Sequence, residues 1–426
     1  MSAVGVGSPA AALERQLEAV DQAADPDAWA LLAGRVALAR AEVGDVNGAL
    51  ALVEHAATVL TPNRAPLEHG RLLAIAAAAH RTLGDSLRAW ELFVAAARLL
   101  SGRAGAAEVA AAYSNVGLAA AELGRAGDAL LAFETALASA PSGEGRLRAS
   151  LLINRAQLHL AGSAPDALAL ASLDFRAAAD VSDLESTPVQ HGQAHNGLGS
   201  VAQARGDRAV AAEHFMVAMA TFTPSQFPFQ HAVASHNLGL ALADPSGSVV
   251  SLRRALSAFE VALTLFDPQR QRAQWAESFR RAQEVEAFLA IDHPGWTRDD
   301  HLAALLGGLD DVERVAVART RLGHIAQRPD PHRRRAFAAS AAAALRRDED
   351  THRAVLYATV SVLMELPDDV LRSGLRGQLD AHQALNDPDR ARLADQALDD
   401  AIHARLHGPQ RVRVRDLLEE MGWQRP

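Results

Sequence analysis

The chain has 426 residues, 49% of them hydrophobic but only 4% aromatic, and a net charge of −9. It contains no Cys, and all 42 basic residues are Arg, which excludes disulfides, thiolate metal sites, a Cys nucleophile, a phosphate-loop lysine and Schiff-base chemistry. The acidic balance gives nucleic-acid binding no general electrostatic support. An Arg-only, Ala-rich composition fits a GC-rich bacterial genome, and a core of Ala, Leu and Val suits closely spaced helices better than sheets.

Met1–Pro9 lacks a basic segment followed by an apolar run, and no stretch approaches the ~18 apolar residues of a membrane span. The expectation is a cytoplasmic protein. Ala10–Ala24 reads as one helix, with Leu13, Leu17 and Val20 at helical spacing, able to cap the first of the repeats.

From about Ala30 to Pro268 a unit returns every forty or so residues. Its clearest copy runs from Val109 to Pro141, with Tyr113, Val116, Gly117 and Ala120, then Gly124, then Ala129, Phe133, Ala136 and Pro141. Small residues stand where two helices touch, a ring fills the gap, and proline follows the stop. The turn glycines are Gly44, Gly84, Gly124, Gly162 or thereabouts, and Gly206; a sixth copy has a longer turn with Pro245 and Gly247. The second helices repeat a small–apolar–small trio: Ala49/Val53/Ala56, Ala89/Phe93/Ala96, Ala129/Phe133/Ala136, Ala211/Phe215/Ala218 and Ala255/Phe259/Ala262. In the fourth copy Phe175 and Ala178 look displaced by a few residues, and Pro62, Pro141, Pro224 and Pro268 close units.

These residues resemble the tetratricopeptide repeat family over roughly residues 27–291, in a long-repeat variant. The resemblance implies an all-α fold: a right-handed α-solenoid of about six helix pairs, followed by a second all-helical region. It also implies a concave groove lined by the first helices. At the family's groove positions stand Arg71 and Arg81, then Ser114 and Asn115, then Asn154 and Gln157, then Gln193, Asn196, Ser200 and Gln203, then His236 and Asn237. Asn115, Asn154, Asn196 and Asn237 read as one recurring series. An Asn amide offers an acceptor and two donors and can pair with both C=O and N–H of an extended peptide; in related receptors such a row grips peptide backbone. The same amides could instead bond a neighbouring helix. The family's carboxylate clamp is not recognisable, since its Lys positions are unfilled. Arg71 and Arg81 could replace that charge or form a solvated helix face.

His191 and His195 lie four apart on one helix face, with His214, His231 and His236 near in sequence. That permits a metal or acid–base cluster, although His195 takes the packing position of Tyr113. Gly197-x-Gly199-x-x-Ala202 lies inside a helix with no preceding strand, so the dinucleotide reading fails. Pro224–Phe229 is an apolar connection that either offers a partner site or packs under the next helix.

Gln269–Ile291 reads as a long helix with Trp275, Phe279 and Phe288 facing inward, broken by His293-Pro294-Gly295. Further helices are expected at Asp310–Gln327, Pro331–Arg347, Glu349–Leu366, Asp368–Leu385, Pro388–Leu406 and Val412–Met421. The basic run His332–Arg335 has no interleaved aromatics and reads as a solvated first turn or as partners for Asp. The organisation is then a tail and capping helix over 1–26, a repeat superhelix over 27–291, and a helical region over 292–426 that could serve as a cap or oligomer interface. The expected function is a non-enzymatic adaptor or receptor for a peptide or protein segment, with no cofactor and no metal. The alternatives are an enzyme or small-ligand protein using a polar pocket around His195, His214 and His236, and a regulator acting through a partner.

Overall fold

The computed structural model describes residues 9–426, and every regular element among them is a helix. The chain divides into two compact units, one up to Arg205 and one from Gly206.

The first unit opens with α1 (Pro9–Glu18), which is shorter than the expected Ala10–Ala24 helix. Asp21 ends the possibility of continuing: its carboxylate accepts from Ala23 N at 2.9 Å and its carbonyl from Asp25 N at 2.9 Å, which curls the chain into a turn. Four helix pairs follow: α2 (Pro26–Glu42) with α3 (Val46–Val59), α4 (Pro66–Thr82) with α5 (Ser86–Leu100), α6 (Ala106–Glu122) with α7 (Ala126–Ser139), and α8 (Gly145–Ala161) with α9 (Ala167–Asp180). α10 (Pro188–Arg205) completes the unit. Each helix packs on the next, and the first helices also touch one another, α2 with α4, α6 with α8 and α8 with α10. These are the expected tetratricopeptide-type pairs, with first helices of 17 residues in all four.

Local chemistry sets the boundaries. Gly44, Gly84 and Gly124 take φ of 89°, 86° and 70°, the left-handed region that a side chain would strain. The residue after each glycine donates its N–H back into the first helix, as Asp45 does to Arg40 O at 2.9 Å. Asp45 and Asp85 then cap the second helices by accepting from Gly48 N and Arg88 N. Gly162 departs from this expectation. Its φ is −80°, it ends α8 in extended conformation, and a longer turn runs to Asp166. The fourth trio is therefore Ala171/Phe175/Ala178, all buried; the extra residues lie in the turn and not in the helix.

The trios form the core. Val53, Phe93, Phe133 and Phe175 are at most 2% exposed, each flanked by buried alanines one turn away. Against Phe133 the first helix has no room for a side chain: a Cβ on Gly117 would stand 2.6 Å from the ring.

The second unit opens with α11 (Arg208–Thr221), α12 (Pro228–Leu242), α13 (Val249–Leu265) and α14 (Arg272–Asp292), each packed on its successor. Its trios, Ala211/Phe215/Ala218 and Ala255/Phe259/Ala262, are buried, and Gly239 backs onto Phe259 as Gly117 does onto Phe133. The Pro224–Phe229 connection packs through rings: Phe227 stands edge-on to Phe222 and Phe229 to Phe266, although Phe229 keeps 41% of its surface exposed. In α14 the inward side chains are Ser278, Ala282, Val285 and Leu289. Phe279, expected inside, is exposed and stacks on Trp275, because the buried stripe is set by the small residues that fit against α13.

Seven helices follow: α15 (Arg298–Gly308), α16 (Asp311–Ala326), α17 (Asp330–Leu345), α18 (Glu349–Leu363), α19 (Asp368–Gln383), α20 (Pro388–Arg405) and α21 (Gly408–Glu420). The last six match the expected segments within a few residues; α15 was not foreseen. Packing here skips neighbours. α17 packs mainly on α19, while α16 and α20 pack on α18. One continuous core results, with Leu356, Val362, Leu371, Leu398, Ile402 and Leu418 all at most 2% exposed. No described helix is long and apolar enough to cross a membrane.

Candidate binding face of the first helices

A common register organises the first helices, counted from the first residue of each. The fourth residue reaches back to the end of the preceding helix. His69 Nδ1 bonds Leu60 O at 2.6 Å, and Arg148 donates to Ala140 O at 3.2 Å. In the second unit His231 Nδ1 bonds Phe222 O at 2.6 Å. Leu60, Ala140 and Phe222 are the C-cap residues of α3, α7 and α11, so these side chains satisfy carbonyls a helix end leaves open. Burial lowers the pKa of His231, which keeps it neutral. The reading of His231 as part of a metal or acid–base cluster is thereby corrected: it is a helix cap.

The sixth residue of one first helix meets the third of the next. Arg71 on α4 makes a two-point ion pair with Glu108 on α6, at 2.6 and 2.8 Å. Gln190 on α10 donates to Ser150 on α8 at 3.2 Å. Mutual hydrogen bonding raises the pKa of Arg71 and lowers that of Glu108. Arg71 thus serves as a rung between α4 and α6 rather than as a cation awaiting a carboxylate. Arg81 is half-buried with its guanidinium 5.9 Å from the centre of the Phe93 ring.

The tenth residue carries the amides. Asn115 and Asn154 occupy it in α6 and α8, and Asn237 in α12. Asn196 does not: it is the ninth residue of α10, the place of Ser114 and His236, and the tenth is Gly197. The four-member Asn row is therefore corrected to three, because one residue on a helix is a rotation of about 100°. At Gly197 a Cβ would stand 2.3 Å from the Phe175 ring, so packing occupies the place of the missing amide. That is also the role of this glycine in the Gly197-x-Gly199 pattern.

Asn115 and Asn154 are half-buried, and among the described residues their side chains have no hydrogen-bond partner. The same holds for exposed Gln157 and for half-buried Gln193 and Gln203. Ser200 donates to Asn196 O at 3.0 Å within α10. Beneath this face Arg155 forms a two-point pair with Asp174 of α9, at 2.8 and 2.7 Å, with the Asp174 side chain 5% exposed. That pair raises the Arg155 pKa, and neither residue was singled out in the sequence.

In the second unit His236 bonds the hydroxyl of Ser278 at 2.8 Å and stands edge-on to Phe259. Ser278 is fully buried and donates to Gln274 O, so Nδ1 of His236 carries the proton and donates to Ser278. Burial lowers the His236 pKa. Asn237 is half-buried beside it, and His214 is half-buried on α11. In the first unit the His191 and His195 rings meet at 4.7 Å. No group of three His, Asp or Glu among the described residues is placed to hold a metal ion. Within the basic run, Arg333 pairs with Asp330 and Asp369, and Arg334 with Asp380.

No family model and no curated protein matches the chain. Among solved structures it is similar to the TPR2AB domain of yeast Sti1 in its complex with pHSP90, at 13% identity and a TM-score of 0.27 over 62% of this chain and 99% of that one. It is similar to a signal-transduction ATPase with a tetratricopeptide repeat sensor from Pyrococcus horikoshii, at 14% identity and a TM-score of 0.40 over 86% of this chain and 55% of that one. Yeast Tom70 gives 12% identity and a TM-score of 0.24 over 93% and 96%. Such values fix neither a partner nor an activity.

Proposed function

We propose that this protein is a non-enzymatic adaptor or receptor whose first-helix face binds an extended peptide or protein segment. The observation that carries the proposal is the pair Asn115 and Asn154. They stand at the same register of adjacent first helices, half-buried, with amides that no described residue uses. An amide that no internal group uses keeps its acceptor and two donors for a ligand, and a peptide backbone supplies the matching donor and acceptor. Gln157, Gln193 and Gln203 extend the same uncharged chemistry along α8 and α10. Arg71 is already neutralised by Glu108, so the face reads backbone and neutral side chains more than a terminal carboxylate. His236 and Asn237 offer equivalent ninth and tenth residues on α12 of the second unit.

The test is selection of random dodecapeptides on the full-length protein, followed by titration of the selected peptides against an Asn115→Ala/Asn154→Ala variant. We expect at least a tenfold loss of affinity with an unchanged thermal midpoint. Peptides that bind the variant as tightly as the wild type would remove the amides from the site.

A further inference from the structure

The second unit holds a cavity of about 320 Å³ between the end of α17, the start of α18 and the length of α20. That is the lower end of the range for small-molecule pockets. Its floor contains His352, which is 8% exposed and whose Nε2 is fully buried with no hydrogen-bond partner. On the inner side Gln378 is already bonded to His382, and His382 to Asp395, at 2.9 and 2.8 Å.

Three arginines line the cavity, and their charges are not equally spent. Arg347 pairs with buried Asp300 at 3.0 Å, and Arg353 pairs with Glu349 at 2.6 Å. Arg390 has only the carbonyl of Leu345, at 2.9 Å, and no carboxylate among the described residues. A guanidinium has five N–H donors in a planar fork, so most of its capacity is unused. Asp400 also lines the cavity, but it lies ten residues along α20 from Arg390, roughly 15 Å at the rise of an α-helix. The cavity therefore has one uncompensated positive charge at one end. Burial, His382, Arg353 and Arg390 together hold the His352 pKa at about 4, so its imidazole is neutral and adds no charge to the cavity. Leu345, Leu385 and Leu393 form the apolar part of the wall, and Leu393 is 59% exposed at the rim.

We infer that this cavity is a binding site for a small monocarboxylate with an apolar body, its carboxylate held by Arg390 beside the neutral His352 ring and its apolar part lying on Leu385 and Leu393. One free cation matches one negative charge, which disfavours a phosphate dianion. The exposed leucine gains cover only from a ligand with a hydrocarbon part. This site lies apart from the first-helix face and does not rest on the peptide-binding reading.

The test uses the full chain titrated calorimetrically with octanoate, 1-octanol and inorganic phosphate. Octanoate is expected to bind at least tenfold more tightly than 1-octanol, and phosphate not to bind. Arg390→Gln changes an exposed side chain and should keep the fold while lowering octanoate affinity at least tenfold. Leu393→Asp, at the rim, should weaken octanoate to a similar degree while leaving the thermal midpoint in place. Octanoate binding no tighter than 1-octanol, binding unaffected by both variants, or phosphate binding tighter than octanoate would each overturn the assignment.

Discussion

A glycine in the middle of a helix is usually a weak point, and replacing it with alanine gains about 1 kcal/mol of helix propensity. At Gly117 the expected sign is reversed. An added Cβ would stand 2.6 to 2.8 Å from three carbons of the Phe133 ring. Phe133 is 1% exposed and lies among Ala120, Ala129 and partly buried Trp90, so the ring has nowhere to go. Overpacking of this kind costs about 1–3 kcal/mol. A contact with three buried ring atoms belongs toward the upper end, which leaves a net destabilisation of about 1–2 kcal/mol. Gly127 provides the control. It is also helical, two residues into α7, with nothing within 4 Å of the added Cβ, so Gly127→Ala should stabilise by a few tenths to about 1 kcal/mol. Urea unfolding followed by far-UV circular dichroism would place the Gly117→Ala midpoint below wild type and the Gly127→Ala midpoint above it. Combining Gly117→Ala with Phe133→Leu should recover part of the loss, with a coupling of at least about 1 kcal/mol. A Gly117→Ala midpoint that rises alongside Gly127→Ala would refute the steric account of the repeat.

Two further predictions separate buried from exposed charge. Asp174→Ala leaves Arg155, 24% exposed, without its partner and should cost about 2 kcal/mol, whereas Arg71→Ala breaks a pair whose side chains are 48% and 35% exposed and should cost less than about 1 kcal/mol; equal shifts in the urea midpoint would contradict this. Asp300 predicts a pH dependence. Burial by itself raises its pKa, but hydrogen bonds from Arg346 and Thr297 outweigh that and lower it to about 2. A carboxyl depressed in the folded state contributes stability above its unfolded pKa of about 3.9 and loses it as pH falls through 2. The shift corresponds to about 2 kcal/mol, so the stability gap between wild type and Asp300→Asn should be widest above pH 5 and narrow by about that amount near pH 2. A gap that stays constant with pH would show that Asp300 acts through packing and not through its charge.

Much of the repeat architecture was legible because its determinants are local. Gly84 and Gly124 mark turns by φ alone, and Ala129, Phe133 and Ala136 fall on one helix face by spacing alone. What the sequence concealed depends on partners distant along the chain. Arg71 looked like a free cation because Glu108 belongs to another helix pair. His231 looked like a ligand because the carbonyl it caps, that of Phe222, is backbone and has no sequence signature. Asn196 falls one residue outside the row because it stands ten residues before the turn glycine Gly206, whereas Asn115 stands nine before Gly124. α15 was missed because it is short and its burial comes from α17 and α18, which lie far ahead in sequence.

The all-arginine composition, whatever its genomic cause, has a structural consequence that bears on both proposed sites. Arginine binds a carboxylate at two points and loses little freedom in doing so. The chain uses that geometry repeatedly: Arg71 with Glu108, Arg155 with Asp174, Arg319 with Glu365, Arg334 with Asp380, Arg346 with Asp300, and Arg405 with Asp311. Each such pair removes a cation from the pool that could meet a ligand. A side chain left out of the scheme is therefore more informative here than in a lysine-rich protein, where exposed ammonium groups are ordinarily unpaired. On the first-helix face this neutralisation leaves the amides of Asn115 and Asn154 as the unspent polar groups, which suits an uncharged peptide backbone. In the cavity of the second unit it leaves Arg390, which suits a single carboxylate. The two sites differ in chemistry for the same reason: what remains available to a ligand is what the internal pairing has not used.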